Sequence, residues 1–156
     1  MTSTLDIICP KTVTNEYLGG TIAFYGFCLF VTAGFLRSAV HLLLPDGGIN
    51  SVASIIVFEG TPNPNDVIYM LQSGGGAFQM SFASLNFLVL WRYRSLIPLM
   101  LALMVMQQFF ICMVQTMHPL TPDHYTYTPP AFVGAVPALI VLVILLYLAV
   151  RNAKTH

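Results

Sequence analysis

Arg37 and His41 stand four residues apart inside "FYGFCLFVTAGFLRSAVHLLLP", a run that is otherwise almost wholly apolar. Residues four apart share one face of a helix, so a guanidinium and an imidazole would sit one turn from each other. A second polar set follows, with Gln72, Gln79 and Asn86 recurring at intervals of seven, and a third consists of Gln108 and Gln115, again seven apart, with Gln107 beside them. A step of seven drifts only about 20° around a helix, so each set keeps to one face. A cation among neutral amides suits an anionic or polar head, such as a lipid phosphate, a quinone carbonyl or a carboxylate. Arg37, His41, Gln72, Gln79, Gln108 and Gln115 are therefore the candidate ligand-binding residues. No serine, cysteine or threonine is spaced with a base as an activated nucleophile would be. No catalytic residue is assigned, and an activity of the chain's own is not expected.

The elements that must position these residues are set by composition. Of 156 residues 56% are hydrophobic and only 8% charged, and the mean hydropathy is +0.77, against roughly 25% charged residues in an ordinary soluble domain. Lipid is the expected solvent. The formal net charge is zero, with no basic run, which removes the phosphate-neutralising surface that nucleic-acid binding needs. A spanning helix takes about 20 mainly apolar residues, and four stretches qualify, at about 17–44, 66–91, 96–117 and 131–150. They predict an all-α polytopic membrane protein, a single domain over 1–156 built as a four-transmembrane-helix bundle. The second and third spans, separated only by "RYRS", are expected to form an antiparallel hairpin. In the first long connection "NSVASIIVFEG" is too short to span and too apolar to float, and a short interfacial helix capped by Asn50 is expected there. Asp66 is the expected N-cap of the second span.

Lys11, Arg92, Arg94, Arg151 and Lys154 fall at one set of span ends, while the connections 45–65 and 118–130 carry acidic residues and no Lys or Arg. The accumulation of Lys and Arg on the cytoplasmic side predicts cytoplasmic N and C termini, in a bacterial inner membrane. Arg92 and Arg94 are candidate contacts for anionic lipid headgroups. At 1.5 Å per residue, Arg37 lies roughly 12 Å inside the helix end at Pro45. It either snorkels to the headgroups or has a partner inside the bundle, with Glu59, Asp66 and the glutamines in reach. Gly75, Gly76 and Ala83 share the face of Gln72, Gln79 and Asn86, and such a small-residue stripe with side-chain amides is a way of packing membrane helices. On that reading Gln72 meets Gln115 and Gln79 meets Gln108 across the hairpin, with Gly75, Gly76, Ala83 and Asn86 as helix-packing residues.

Metal chemistry has three weak candidates in His41, His118 and His124, with Met113, Met117 and Asp123 near two of them; such a set could serve copper or haem. "MHPLTPDH" is not a ligand spacing that metal sites use, and no cofactor is assigned. Cys9, Cys28 and Cys112 are far apart and offer no disulfide framework.

The first helix ending in "RSAVHLLLP", the glycine-containing "GGGAFQMSFASLNFLVLWRYRSL", a third helix directly after basic residues and a final apolar helix preceded by "TPP" give a layout that resembles the small DoxX-like four-helix membrane proteins. The resemblance implies a compact bundle, sometimes associated with larger membrane enzymes, and carries no functional residue onto this chain. Three readings of function stay open. The first is association, as an accessory or structural subunit of a larger membrane complex or as a homo-oligomer. The second is a binding protein or carrier for a polar or anionic lipid, a quinone or a small solute, centred on Arg37. The third is a haem or copper protein using the histidines.

Overall fold

The computed structural model describes residues 3–155. Its elements are α1 (Thr4–Ile8), α2 (Thr21–Leu43), α3 (Pro64–Arg92), α4 (Ile97–Met117) and α5 (Pro130–Ala153), with single 3-10 turns at Arg94–Leu96 and Pro122–His124. The helix ends follow local chemistry. Pro64 and Pro130 open α3 and α5, and Pro98 lies in the first turn of α4, positions where a missing N–H costs nothing. α2 stops at Leu44 (ψ 141°) and α4 at His118, each the residue before a proline, where the α region is disfavoured. α2 starts later than hydropathy alone suggests, because Gly20 at φ 83° turns the chain just before Thr21. Asn63, not Asp66, caps α3: its side-chain oxygen accepts from the Asn65 N–H at 3.1 Å, while Asp66 in the first turn accepts from Asn63 Nδ2 at 2.9 Å.

Among the described residues three segments are long and apolar enough to cross a membrane: Thr21–Leu43, Arg94–Met117 and Pro130–Ala153. α3, with 29 residues, exceeds each of them in length, but its glutamines, glycines, serines and Asn86 dilute its hydropathy. Large apolar side chains lie exposed along every long helix, among them Ile22, Leu29, Leu36, Phe78, Phe109, Val133 and Ile140. A water-soluble bundle would bury them. The chain is a membrane protein.

The helices pair as α2 with α3 and α4 with α5, while α3 and α4 touch little beyond their link. The hairpin expected from the short "RYRS" connection is therefore corrected: that link joins two hairpins instead of closing one. Amide pairing across it is corrected as well, since each of these glutamines has a partner elsewhere. Gln79 accepts from the Arg37 guanidinium and Gln72 meets His41, and hydrogen bonds to a charged group outrank neutral ones. Gln108 and Gln115 donate to the Ala135 and Ala131 carbonyls of α5, each at 3.1 Å.

The start of α2 and the end of α5 lie at one end of the bundle, where Asn152 Nδ2 donates to the Gly19 carbonyl at 3.1 Å; we call this the terminal end and the opposite one the loop end. The packed core belongs to the terminal half: Ala23, Phe27 and Val31 of α2, Val89 of α3, Ile97, Leu101 and Met104 of α4, and Leu142, Leu145 and Ala149 of α5.

At the loop end the segment expected as an interfacial helix consists of turns and an extended run. Gly47 and Gly48 at φ 60° and 76° reverse the chain, and the Asp46 carboxylate holds the turn by accepting from the N–H groups of Gly48, Asn50 and Ser51. Asn50 does not cap a helix; its Nδ2 donates to the Ile55 carbonyl at 2.7 Å, and its Oδ1 accepts from Tyr69. Ile55 then pairs with Tyr125 of the other long loop in an isolated antiparallel bridge, secured by Ile56 N–H to His124 O at 3.0 Å and Thr126 N–H to Ser54 O at 2.8 Å. Asn65, buried at the start of α3, exchanges both hydrogen bonds with the Phe58 backbone and pins the loop to the bundle.

Candidate binding cavity

Midway along the four long helices the packing leaves a cavity of about 220 Å³. Its polar wall is made by Arg37 and Ser38 from α2, Gln79 and Asn86 from α3, and Gln107 and Gln108 from α4; Phe30, Phe82, Met104 and Leu142 supply the apolar wall. Small residues make the space. Gly34, Ala83 and Ala138 line it, and a Cβ added at Gly34 would meet nothing within 4 Å.

Arg37 reaches across from α2 so that its Nη2 donates to Gln79 Oε1 at 2.8 Å. Among the described residues it is the one charged residue of the lining, with no Asp or Glu beside it, so the local field is positive and softened by amide dipoles. The side chain is exposed as well as lining the cavity, which places it at the rim. Ser38, buried beside it, is satisfied within its own helix by donating to the Gly34 carbonyl at 2.6 Å. Asn86 is 1% exposed. Its Nδ2 donates to the Phe82 carbonyl at 2.8 Å, and its Oδ1 has no hydrogen-bond partner among the described residues.

Of the six residues that spacing nominates for ligand binding, the cavity brings together Arg37, Gln79 and Gln108. His41 and Gln72 lie a turn or more nearer the loop end. There His41 Nδ1 sits 2.8 Å from the Gly47 carbonyl and 2.9 Å from the Gln72 amide. One ring nitrogen cannot donate to a carbonyl and accept from an amide N–H together; both contacts hold when Nδ1 carries the proton and Gln72 turns its oxygen toward it. Gln115 is outside the cavity, occupied with Ala131. Gln107, noted in sequence only as a neighbour of Gln108, joins the lining, and so does Asn86, which the spacing assigned to helix packing. Its place on the seven-residue stripe was the signal that could have found it.

The packing glycines divide. Gly76 is buried, and a Cβ there would fall 2.8 Å from the His41 and Leu42 backbones; Gly75 has open space around it. Ala83 is buried as expected. Among the described residues no group of three or more His, Cys, Asp or Glu is gathered as metal ligands would be. His41 is engaged as above, His124 Nδ1 lies 2.8 Å from the Thr121 hydroxyl with its ring against Phe58, and His118 is exposed. Arg92 and Arg94 sit exposed at the terminal end. The Arg94 guanidinium lies 5.5 Å over the Phe24 ring, and its Nε donates to the Leu90 carbonyl.

Comparison of the chain with protein families, with characterised proteins and with solved structures finds no match in any of the three.

Proposed function

We propose that the protein binds a small molecule or lipid with a polar, anionic head inside the membrane, in the cavity rimmed by Arg37. The observation that carries this reading is an arginine over a hollow whose lining offers it amides and no carboxylate. An arginine in a spanning helix costs about 2.5–3.5 kcal/mol near the bilayer centre on insertion scales, and less toward the interface. A bundle needing only to pack would gain nothing from it, whereas a bound anion offsets that cost directly.

The reading includes four spans. The loops after α2 and after α4 are bonded to each other through Ile55 and Tyr125, so they share a side; if α2 and α4 both cross, α3 must return the chain between them. Its length suffices at about 1.5 Å per residue, and its polar stripe faces protein instead of lipid. The terminal end, with Arg92, Arg94, Arg151 and Lys154, is then cytoplasmic and suited to anionic headgroups.

The test is gentle extraction from the native membrane followed by native mass spectrometry. The wild-type chain should retain a small molecule in near one-to-one amount, and Arg37→Gln and Gly34→Leu should lose it, the first by removing the charge and the second by filling the hollow. Equal cargo on wild type and Gly34→Leu sinks the proposal.

A second reading, association with another membrane chain or a second copy, is favoured by the outward face of α3. Gly74, Ala77, Ser81 and Ser84 are exposed there at helical spacing, a pattern that lets a neighbouring helix approach closely. The same spectra read it as retained polypeptides in fixed ratio.

A further inference from the structure

The hollow has a mouth, and the spacing of α2 and α5 places it. A Cβ at Gly20 would collide with Asn152 and one at Gly26 with Leu145, so the two helices touch closely near the terminal end; at Gly34 a Cβ would meet nothing within 4 Å. Gly26, Ala33 and Arg37 follow one another at steps of seven and four, which keeps them on one flank of α2. The flank that meets α5 at Gly26 is therefore the one that carries Ala33 and Arg37. Of the described lining residues these two are exposed, and the others are buried or half-buried. The hollow opens sideways, between α2 and α5.

Arg37 does not lift its charge to the headgroups. Gly76 is level with His41 and Leu42, so Gln79, three residues further along the antiparallel α3, is about 4.5 Å deeper, at the height of Ser38 and Arg37. The guanidinium bonded to it is thus held at the depth of its own backbone, about 9 Å short of the end of α2 at Leu43. α2, with 23 residues, is about 34 Å long against a hydrocarbon core of about 30 Å, which puts this charge inside the hydrocarbon. From there the apolar wall runs toward the bilayer centre. Phe30 lies about 10 Å nearer the terminal end than Arg37, and Met104 and Leu142 line the hollow with it. A lipid of the loop-end leaflet has the same orientation, head toward the loops and chain toward the centre.

The lining also defines the head. Arg37 gives one N–H group to Gln79 Oε1 at 2.8 Å, and a guanidinium has five. Gln79 Nε2 has no partner among the described residues, and unlike Asn86 Oδ1 it is not sealed from its surroundings. Both groups donate. Arg37 is the only charge of the described lining, so a monoanion matches it, whereas a dianion would leave an uncompensated charge in a low-dielectric site. A planar carboxylate can take two N–H groups of a guanidinium at once. A dry cavity of about 150 Å³ holds benzene, so about 220 Å³ takes a head and the first carbons of one chain, and not a glycerol bearing two.

Building on the cavity reading above, we infer that the ligand is a long-chain carboxylate drawn from the loop-end leaflet through the mouth between α2 and α5, its head on Arg37 and Gln79. The rest of its chain stays in the bilayer. No covalent step is involved.

The experiment is electron spin resonance of the full chain in phosphatidylcholine vesicles at about pH 9, where a carboxylic acid is ionised. The probes are stearic acid, its methyl ester and phosphatidic acid, each nitroxide-labelled on the chain, and the immobilised fraction of each gives its association relative to the host lipid. Stearate should associate about tenfold or more tightly than the ester, which keeps the chain but brings no charge to the guanidinium. It should exceed phosphatidic acid as well, whose glycerol and second chain do not fit. Arg37→Gln and Gly34→Leu should each bring stearate down to the level of the ester, the first by removing the charge and the second by filling the mouth. The ester comparison needs no variant, so a fold defect in either does not blunt the test. Equal association of stearate and its ester overturns the inference, and so does equal association of stearate and phosphatidic acid, which is attraction to any anionic lipid. If stearate shows no preference while native mass spectrometry finds a different cargo that Gly34→Leu expels, this inference falls and the cavity reading stands. If neither is found, both fall.

Discussion

Gly76 marks a close approach of α2 and α3, with the His41 and Leu42 backbones 2.8 Å from where a Cβ would sit. Backbone cannot step aside as a side-chain tip can, so Gly76→Ala should destabilise the protein by about 1–3 kcal/mol, the usual range for overpacking. Gly75 has nothing within 4 Å of an added Cβ, and Gly75→Ala should stabilise by up to about 1 kcal/mol through helix propensity. Thermal unfolding of the two variants in one detergent checks both signs, and variants that move together would contradict the close crossing. Spacing in the sequence assigned Gly75, Gly76 and Ala83 to one packing stripe of α3, of which Gly76 and Ala83 are buried and Gly75 has open space. It could not say which glycine meets the neighbouring backbone, because a seven-residue repeat defines a stripe and not a crossing point. Arg37 was legible for a similar reason: a charge in an apolar run is conspicuous whatever surrounds it. The unfilled oxygen of Asn86 was not legible, since it depends on which carbonyl takes the amide nitrogen.

At the scale of elements, hydropathy and length located the long helices to within a few residues, and prolines located several of their ends. Chain connectivity misled about pairing. A four-residue link forces two helices to be consecutive, but which faces they bury depends on the strongest polar contacts available, and here Arg37 with Gln79 and His41 with Gln72 bring α3 to α2. The first long loop was misread as helical because its apolar content was legible and its two left-handed glycines and Asp46 staple were not. That staple is testable. Burial raises the Asp46 pKa, but the N–H groups of Ser51, Gly48 and Asn50 and the Ser51 hydroxyl outweigh it and bring the value down to about 2 from 3.8. The folded loop thus binds the proton less readily than the unfolded chain does. Its contribution is complete above the ordinary Asp value and is lost as pH falls from about 4 toward 2. Asp46→Asn should lower the melting temperature at neutral pH by about 2–4 °C, the shift that roughly 1 kcal/mol gives in a chain of this size. It should also flatten the dependence between pH 4 and 2; a variant with the wild-type acid profile would remove Asp46 from the account.

Across the whole molecule, the buried apolar cluster lies in the terminal half, while the loop half is held by the α2–α3 crossing at Gly76 and by its loops. Four spans with the terminal end inside the cell can be checked by thiol labelling in a chain with Cys9, Cys28 and Cys112 replaced by alanine. A cysteine at Thr128 should react with an impermeant maleimide in intact cells, and one at Thr155 only after permeabilisation; the reverse pattern would invert the orientation, and labelling of both would break the four-span reading. The concentration of the core at the terminal end bears also on how the protein fluctuates. Proteins open locally where buried apolar contact is sparse, which here is the loop end, fastened by Ile56 to His124 and Thr126 to Ser54. On the proposed function, a molecule that binds between the helices more tightly while that end is closed would suppress the opening by mass action. Amide hydrogen exchange around residues 54–56 and 124–126 would slow when the hollow is filled, while the core amides kept their rates. Occupancy at mid-membrane would thereby be legible on the aqueous surface, with the loops acting as its indicator.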